Sequence, residues 1–335
     1  GAQARKLGEF YRAWHDMLNE DEITIYLGIS GALVPEGLGP VLAYIAEHRL
    51  ADVIVTTGAQ AFHSLYEALG LDFLRVSPNV DDLKLKSEGR ERYHDVADER
   101  RLANMTDYFI QEFVRNKIDI DKIYSSREFF DLFNKEVTTI SNYEKSFLVQ
   151  SHKKGIPIFS PAISDSSFGI VFGRMAKGLY DKQDGIGEYK GKPIRIKIDN
   201  NKDVVEIGEI TKESKKTASI ILGGGVPKNF INQSVYQQKS ADIEGHIYAL
   251  QMTTDSPEFG GLSGCTFEEA QSWGKVAERA KKVQVRCDVT IGLPYVLEGL
   301  NESFVKLGKK RKFPTFKWKG NYDKASDKYA VEITY

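Results

Sequence analysis

Thr24-Ile25-Tyr26-Leu27-Gly28-Ile29 is an apolar run, and Ser30-Gly31-Ala32 follows it directly. Similar runs occupy 52–56, 156–159, 218–222, 247–252 and 283–287. They are rich in Ile and Val and alternate little, as strands covered on both faces do. Helical stretches at 35–47, 61–69, 105–117 and 267–273 lie between most of them. This alternation predicts an α/β fold with a doubly wound, mostly parallel sheet and helices on both faces. A strand at 194–198 and a helix at 203–215 extend the pattern. The segment 72–93 is irregular and charged, and reads as an excursion from the sheet. No repeat or boundary interrupts the chain, so 1–335 reads as one domain.

In such sheets ligands bind beyond the carboxyl ends of the strands, near a switch in strand order. The ends here are Gly28-Ile29-Ser30-Gly31-Ala32, Thr56-Thr57-Gly58-Ala59, Ser160-Pro161-Ala162-Ile163-Ser164-Asp165, Gly223-Gly224-Gly225, Thr253-Thr254-Asp255 and Asp288-Val289-Thr290. Glycine lets backbone approach a ligand closely, and helix N-termini favour anions. Together these ends predict a nucleotide-sized ligand. The GxGxxG fingerprint, the Walker A loop and the GxSxG nucleophile elbow are all absent, which disfavours an ordinary Rossmann dehydrogenase, an ATPase and a serine hydrolase. The six histidines are scattered and no pair stands at ligand spacing, so no metal site is expected.

The 335 residues are 41 % hydrophobic and carry a net charge of −1. That length supports a sizeable core, and the balance of charge gives no field that points to nucleic acid or an acidic membrane. The basic stretch 309–312 reads as a solvated face. Two cysteines, Cys265 and Cys287, make no disulfide framework and fit a reducing, cytoplasmic setting. No apolar run is long enough to span a membrane, and no signal peptide is visible. The chain opens on Gly1 rather than Met, which suggests an N-terminus that was processed or shortened.

Thr266-Phe267-Glu268-Glu269 fits a capping box, with Glu269 reaching back to the Thr266 amide. Gly274 reads as the stop of a short helix, which places Lys275 in the following turn. Lys275 is then either a solvated cation near the helix carbonyls or a nucleophile beside Trp273 and Glu269. Trp273 suits a core position as well as a substrate wall. His63 follows Thr57-Gly58-Ala59 closely enough to face the same cleft. Asp165 and Asp288 each follow a strand, where an acid binds a ribose hydroxyl or a substrate amine, or caps the next helix.

Ile158-Phe159-Ser160-Pro161-Ala162-Ile163-Ser164-Asp165, Ile221-Leu222-Gly223-Gly224-Gly225-Val226-Pro227-Lys228 and Ser272-Trp273-Gly274-Lys275 resemble the deoxyhypusine synthase family. The likeness runs from Ala2 to about Leu300. It implies an NAD-dependent aminobutyl transferase, a homotetramer with active sites at subunit interfaces, in which Lys275 carries the butylamine group of spermidine as an imine. A free lysine is protonated at neutral pH, so attack needs desolvation or a nearby cation. By the same resemblance Ser30, Gly31, Ala32, Leu33, Thr57, Gly58, Ala59, Asp165, Gly224, Thr254, Asp255, Asp288 and Val289 line NAD. Glu269, Trp273, His63, Asn229, Gly260, Gly261 and Glu258 face the polyamine.

Departures accompany the likeness. Eukaryotic members have two glutamates at Phe62-His63, a histidine at Asn229, and aspartates at Ile170 and Leu262, all of which help to hold spermidine. The run Thr253-Thr254-Asp255-Ser256-Pro257-Glu258-Phe259-Gly260-Gly261-Leu262-Ser263-Gly264 is similar to the prokaryotic branch, where the acceptor is either a lysine of the hypusine-carrying translation factor or putrescine, as in homospermidine synthases. A member that binds NAD without catalysis is the reading from another class, and retention of Lys275, Trp273 and Glu269 argues against it. Longer members carry an N-terminal extension over a neighbouring active site, expected to be missing here.

Overall fold

A computed structural model describes residues 2–141, 143–236, 244–318 and 331–335. Six strands form the central sheet: β1 (Ile23–Ile29), β2 (Val53–Thr56), β3 (Ile158–Phe159), β4 (Lys216–Leu222), β5 (His246–Thr253) and β6 (Val276–Arg286). Every pairing is parallel, in the spatial order β6-β5-β4-β1-β2-β3. All six runs expected from the sequence are present. The order 3-2-1-4-5-6 leaves a switch point between β1 and β4, the place where doubly wound sheets open a crevice.

The strands show why the runs barely alternate. Every residue of β1 is buried. Ile23, Ile25, Leu27 and Ile29 enter one core, while Tyr26 enters another on the opposite face. β2 divides likewise, with Ile54 on the first side and Val53 and Val55 on the second. The first core is covered by α1 (Ala2–Leu18), α2 (Gly39–Glu47), α3 (Gly58–Ala68), α4 (Arg100–Lys117), α5 (Ser126–Ile140), α6 (Phe147–Lys154) and α7 (Ser167–Ala176). The second is covered by α8 (Asn200–Glu213) and α9 (Gly225–Tyr236). Two faces each need apolar cover, so period-two polarity disappears. Two more helices complete the sheet's surroundings: the short α10 (Phe267–Ser272), packed on β6, and α11 (Val289–Leu300), packed on α1.

Several expectations are corrected. The run 194–198 yields only Lys197–Ile198, paired with Ile123–Tyr124 in a separate two-stranded sheet. The helix expected over 35–47 is broken: Gly37 has φ 92°, and the regular helix begins at Gly39. The excursion at 72–93 is not irregular throughout. It holds a short helix, Asp82–Ser87, and strands Leu74–Arg75 and Arg90–Tyr93, both paired antiparallel with Val96–Glu99 just beyond it. The basic stretch 309–312 is not wholly solvated either. The Arg311 side chain is 3 % exposed and forms a bidentate pair with buried Asp52. Beyond it, Thr315–Trp318 pairs with Val331–Thr334, and this ribbon packs on α8. No helix among the described residues is long and apolar enough to cross a membrane.

Candidate active site

The crevice between β1 and β4 is built from small residues held by specific hydrogen bonds. The Ser30 amide donates to Leu222 O at 3.1 Å, and Ser30 Oγ accepts from the Gly224 amide at 2.8 Å. Ser263 Oγ accepts from the Gly225 amide at 3.0 Å. Gly31, Gly223 and Gly225 have φ of 88°, 85° and 60°, a region that side chains with a Cβ rarely occupy. A Cβ on Gly224 would come within 2.5 Å of Ser263, so this glycine is required for the close approach. Opposite, Thr57 caps α3 by accepting from the Gln60 amide. The fully buried Gln60 side chain binds both sides of the loop after β1: Nε2 donates to Gly31 O at 2.7 Å, and Oε1 accepts from the Val34 amide.

The other strand ends meet the same rim. Gly58 is buried, and a Cβ there would collide with Ser166, so α3 sits tightly on the loop that holds exposed Asp165. Ala32 and Ala59 are partly exposed, and Leu33 is buried. Thr254 is exposed. Asp255 is half-buried, its amide donating to Thr253 Oγ1. Asp288 caps α11 through the Thr290 amide and hydroxyl, while Val289 is buried beneath it. Helix capping is thus one job of Asp288, as spacing allowed. A cradle of amides, positive-φ glycines and rim hydroxyls at a switch point fits a dinucleotide.

Lys275 is presented differently. α10 starts at Thr266, whose hydroxyl accepts from the Glu269 amide at 3.2 Å. The return bond from the Glu269 carboxylate to the Thr266 amide is not among the hydrogen bonds of the described residues, so only half of the expected capping box forms. The Glu269 carboxylate lies instead at the Cys265 thiol. Burial pushes that thiol up and Glu269 adds to the rise, while the Lys228 and Lys275 charges oppose it. Gly274, at φ 69°, ends the helix. The Gly274 and Lys275 amides then bond to Gln271 O and Ala270 O, a Schellman-type close. Lys275 Nζ stands 5.3 Å from the centre of the Trp273 ring, which also meets Tyr236 edge-on.

Lys275 is not on the same rim as the cofactor-type crevice. It precedes β6, and its carbonyl accepts from His246 at the start of β5. What links the two is the segment 253–275, which leaves the end of β5, touches Gly225 through Ser263, and runs down α10 to Lys275. Along it, Gly260 has φ 67°, Gly261 is exposed, and Glu258 lies 3.9 Å from Arg286. Phe259, Leu262 and Trp273 are exposed.

His63 and Asn229 stand on two helices, α3 and α9. Asn229 is half-buried on the first turns of α9. His63 is buried among Phe62, Phe73 and Tyr93, with its ring 4.9 Å from that of Tyr93, and burial pulls its pKa down to about 4. It is a neutral imidazole packed against the excursion. The residue that sequence reading passed over is Lys228. Its position inside Gly-Gly-Gly-Val-Pro-Lys was the available signal, yet nothing in the string shows that it is buried.

A family model described as deoxyhypusine synthase matches residues 1–300. An Archaeoglobus fulgidus protein named "Probable deoxyhypusine synthase 2" is 43 % identical over 321 residues, which cover 94 % of this chain and 98 % of the relative. A Methanosarcina mazei protein of the same name is 43 % identical, with 96 % and 88 % covered. A "Deoxyhypusine synthase-like protein" of Chlorobaculum tepidum is 33 % identical, with 88 % and 81 % covered. Among solved structures, a deoxyhypusine synthase-type chain from Entamoeba histolytica superposes with a TM-score of 0.58 at 19 % identity, over 89 % of this chain and 87 % of that one, a likeness of fold. Family match, relatives and sheet agree: the chain belongs to the deoxyhypusine synthase family, a family of transferases.

Proposed function

We propose that the chain is an NAD-dependent 4-aminobutyl transferase that moves the butylamine group of spermidine, or a related polyamine, through an imine on Lys275 to an acceptor amine. The observation that carries this is the single segment 253–275. It begins on the rim of a dinucleotide-type crevice and ends on a lysine set free of its helix by Gly274. Ser30, Gly224, Thr57 and the rim acids Asp165, Asp255 and Asp288 would hold NAD, which when bound supplies the reversible hydride acceptor such an exchange requires.

The chain's own residues do the rest. Trp273 shields one side of the Lys275 amine and offers a π face to a substrate cation. Glu269, free of the capping box, supplies a carboxylate for a polyamine ammonium. The Lys275 amine attacks the imine carbon derived from the donor, 1,3-diaminopropane leaves, and the lysine keeps the four-carbon fragment until the acceptor amine displaces it. The exposed Phe259, Leu262 and Trp273 fit a second subunit closing the site, as in a homotetramer.

The acceptor in this reading is a lysine of the hypusine-carrying translation factor. Putrescine is the second reading, favoured by one observation: where eukaryotic members place paired glutamates, this chain buries a neutral His63 among aromatic rings. Incubation with NAD and spermidine, in parallel arms with the translation factor and with putrescine, separates them by product. Borohydride should trap a butylamine adduct on Lys275, and Lys275→Arg should abolish it while NAD binding survives, because a guanidinium stays protonated. A normal adduct in that variant would sink the assignment.

A further inference from the structure

Lys228 is a buried cation with an unusual set of partners. It is 1 % exposed, and no carboxylate stands within ion-pair distance of it among the described residues. Its ammonium instead donates to Gln251 Oε1 at 2.8 Å, Cys265 O at 2.5 Å and Ser263 O at 3.3 Å. Three N–H groups thus meet three oxygens, and the Phe267 ring lies 5.8 Å away. A lysine buried merely to fill space would be replaced at lower cost by an apolar residue.

The partners show what is tied to what. Gln251 Nε2 donates to Gly223 O at 2.8 Å and to Ser263 O at 2.7 Å. Gln284 Nε2 donates to Gln251 Oε1 and to Cys265 O. One polar network therefore joins the glycine loop after β4, the strands β5 and β6, and the turn 263–265. That turn has two further contacts of consequence. Ser263 Oγ holds the Gly225 amide of the crevice, and Cys265 precedes the Thr266 cap from which α10 runs to Lys275.

We propose that Lys228 is a positioning residue that couples the cofactor-type crevice to the segment presenting Lys275. This rests on the transfer reaction proposed above and deepens it: order in the crevice is transmitted to the nucleophile through one ammonium. Burial lowers its pKa to about 8, against the raising effects of the Cys265 thiol and the Glu269 and Asp255 carboxylates that face it. Above that pH the amine loses one of its three donors, and the tie slackens.

The test compares wild type, Lys228→Met and Lys228→Arg, with Lys275→Arg as the chemically dead control. Backbone hydrogen exchange of 223–227 and 260–275 is read together with NAD titration, steady-state kinetics and borohydride trapping. Lys228→Met should speed exchange in both segments, lower kcat by about tenfold or more with a smaller change in polyamine KM, and reduce trapped imine. Lys228→Arg should restore most of kcat and remove any alkaline loss of rate that sets in near pH 8, since guanidinium does not titrate there. If Lys228→Met does not fold, Gln251→Leu cuts the same network from β5 and is read in the same way. Unchanged exchange in either segment, or lower melting temperature with normal kcat per folded molecule, would overturn the proposal. If wild type traps no imine, the transfer reaction fails, and hydrogen exchange still decides the coupling.

Discussion

The Glu269 carboxylate stands beside the Cys265 thiol and not on the Thr266 amide, and that choice bears on its role. Spacing alone allowed both, because a capping box and a substrate carboxylate ask for the same residue at the same place. The helix keeps its Thr266 cap without the Glu269 side chain, so Glu269→Gln should leave folding nearly untouched. It should raise polyamine KM or lower turnover by more than tenfold, about 1.4 kcal/mol, and leave NAD affinity within about threefold, readable by kinetics and calorimetry. Normal turnover would return Glu269 to a purely structural place. Asp203 was hidden in the sequence for the opposite reason: nothing local marks it as buried. It is fully buried, accepts from Ser126 Oγ and the Arg127 amide through Oδ1, and has no partner for Oδ2 among the described residues. Burial raises its pKa to about 7, above the unfolded value near 3.9. The sign follows. Below about pH 4 both states hold the proton, between about 4 and 7 only the folded state does, and stability falls as pH rises through that window. Asp203→Asn keeps the acceptor and cannot ionise. Its melting temperature should fall less between pH 4 and 7 than that of wild type, with a gain on the order of 1 kcal/mol or more at pH 7; parallel curves would refute this.

At the scale of elements, what was legible depended on whether the signal was local. Five of the six strands announced themselves because burial on both faces leaves an apolar run, while β6, at the sheet edge, alternates between buried Val283 and Val285 and more exposed neighbours. The run 194–198 failed the same reading because Lys197 is exposed and Ile198 pairs only with Tyr124, outside the main sheet. The excursion at 72–93 hid its strands because they are short and none of their residues is fully buried, so charge masked the alternation. α10 was legible at both ends, through Thr266 and Gly274. Gly274 turns at φ 69° with nothing within 4 Å of an added Cβ, so conformation alone, and not space, demands glycine. Gly274→Ala should therefore cost about 1 kcal/mol in stability. Because Lys275 follows directly, the same strain should cost more in activity. Trapped imine should fall about tenfold while the melting temperature moves by only a few degrees, roughly the shift that 1 kcal/mol gives a chain of this size. Equal losses in both would mean that the helix end does not aim the lysine.

Across the whole molecule the strand order could not be read, because which strand lies beside which is settled by contacts far apart in sequence. Ile29 pairs with both Thr56 and Leu222, and only that second pairing creates the crevice. The cofactor-type residues lie at the carboxyl ends of the strands, and a different device closes the opposite edge. Asp52, just ahead of β2, takes two bonds from Arg311 at 3.1 and 2.7 Å and one from the Ile25 amide at 2.8 Å. Arg49 lies 3.7 Å from the same carboxylate, and its guanidinium donates to Pro314 O and stacks 4.3 Å over Phe313. The chain after residue 300, beyond the family match, is thereby fastened under β1 and β2. Removing one partner of a buried ion pair strands the other without solvent, which costs about 3–5 kcal/mol, whereas removing both is far milder. Asp52→Ala should lower stability by that amount in denaturant titration, and the double change Asp52→Ala with Arg311→Met should recover a large part of it. NAD affinity of the folded single variant should stay within about threefold, equivalent to about 0.6 kcal/mol, since the crevice is at the other end of the strands. Should the double variant be no more stable than the single one, the pair is not what fastens the strap, and the Arg49 contacts with Phe313 and Pro314 must hold it instead.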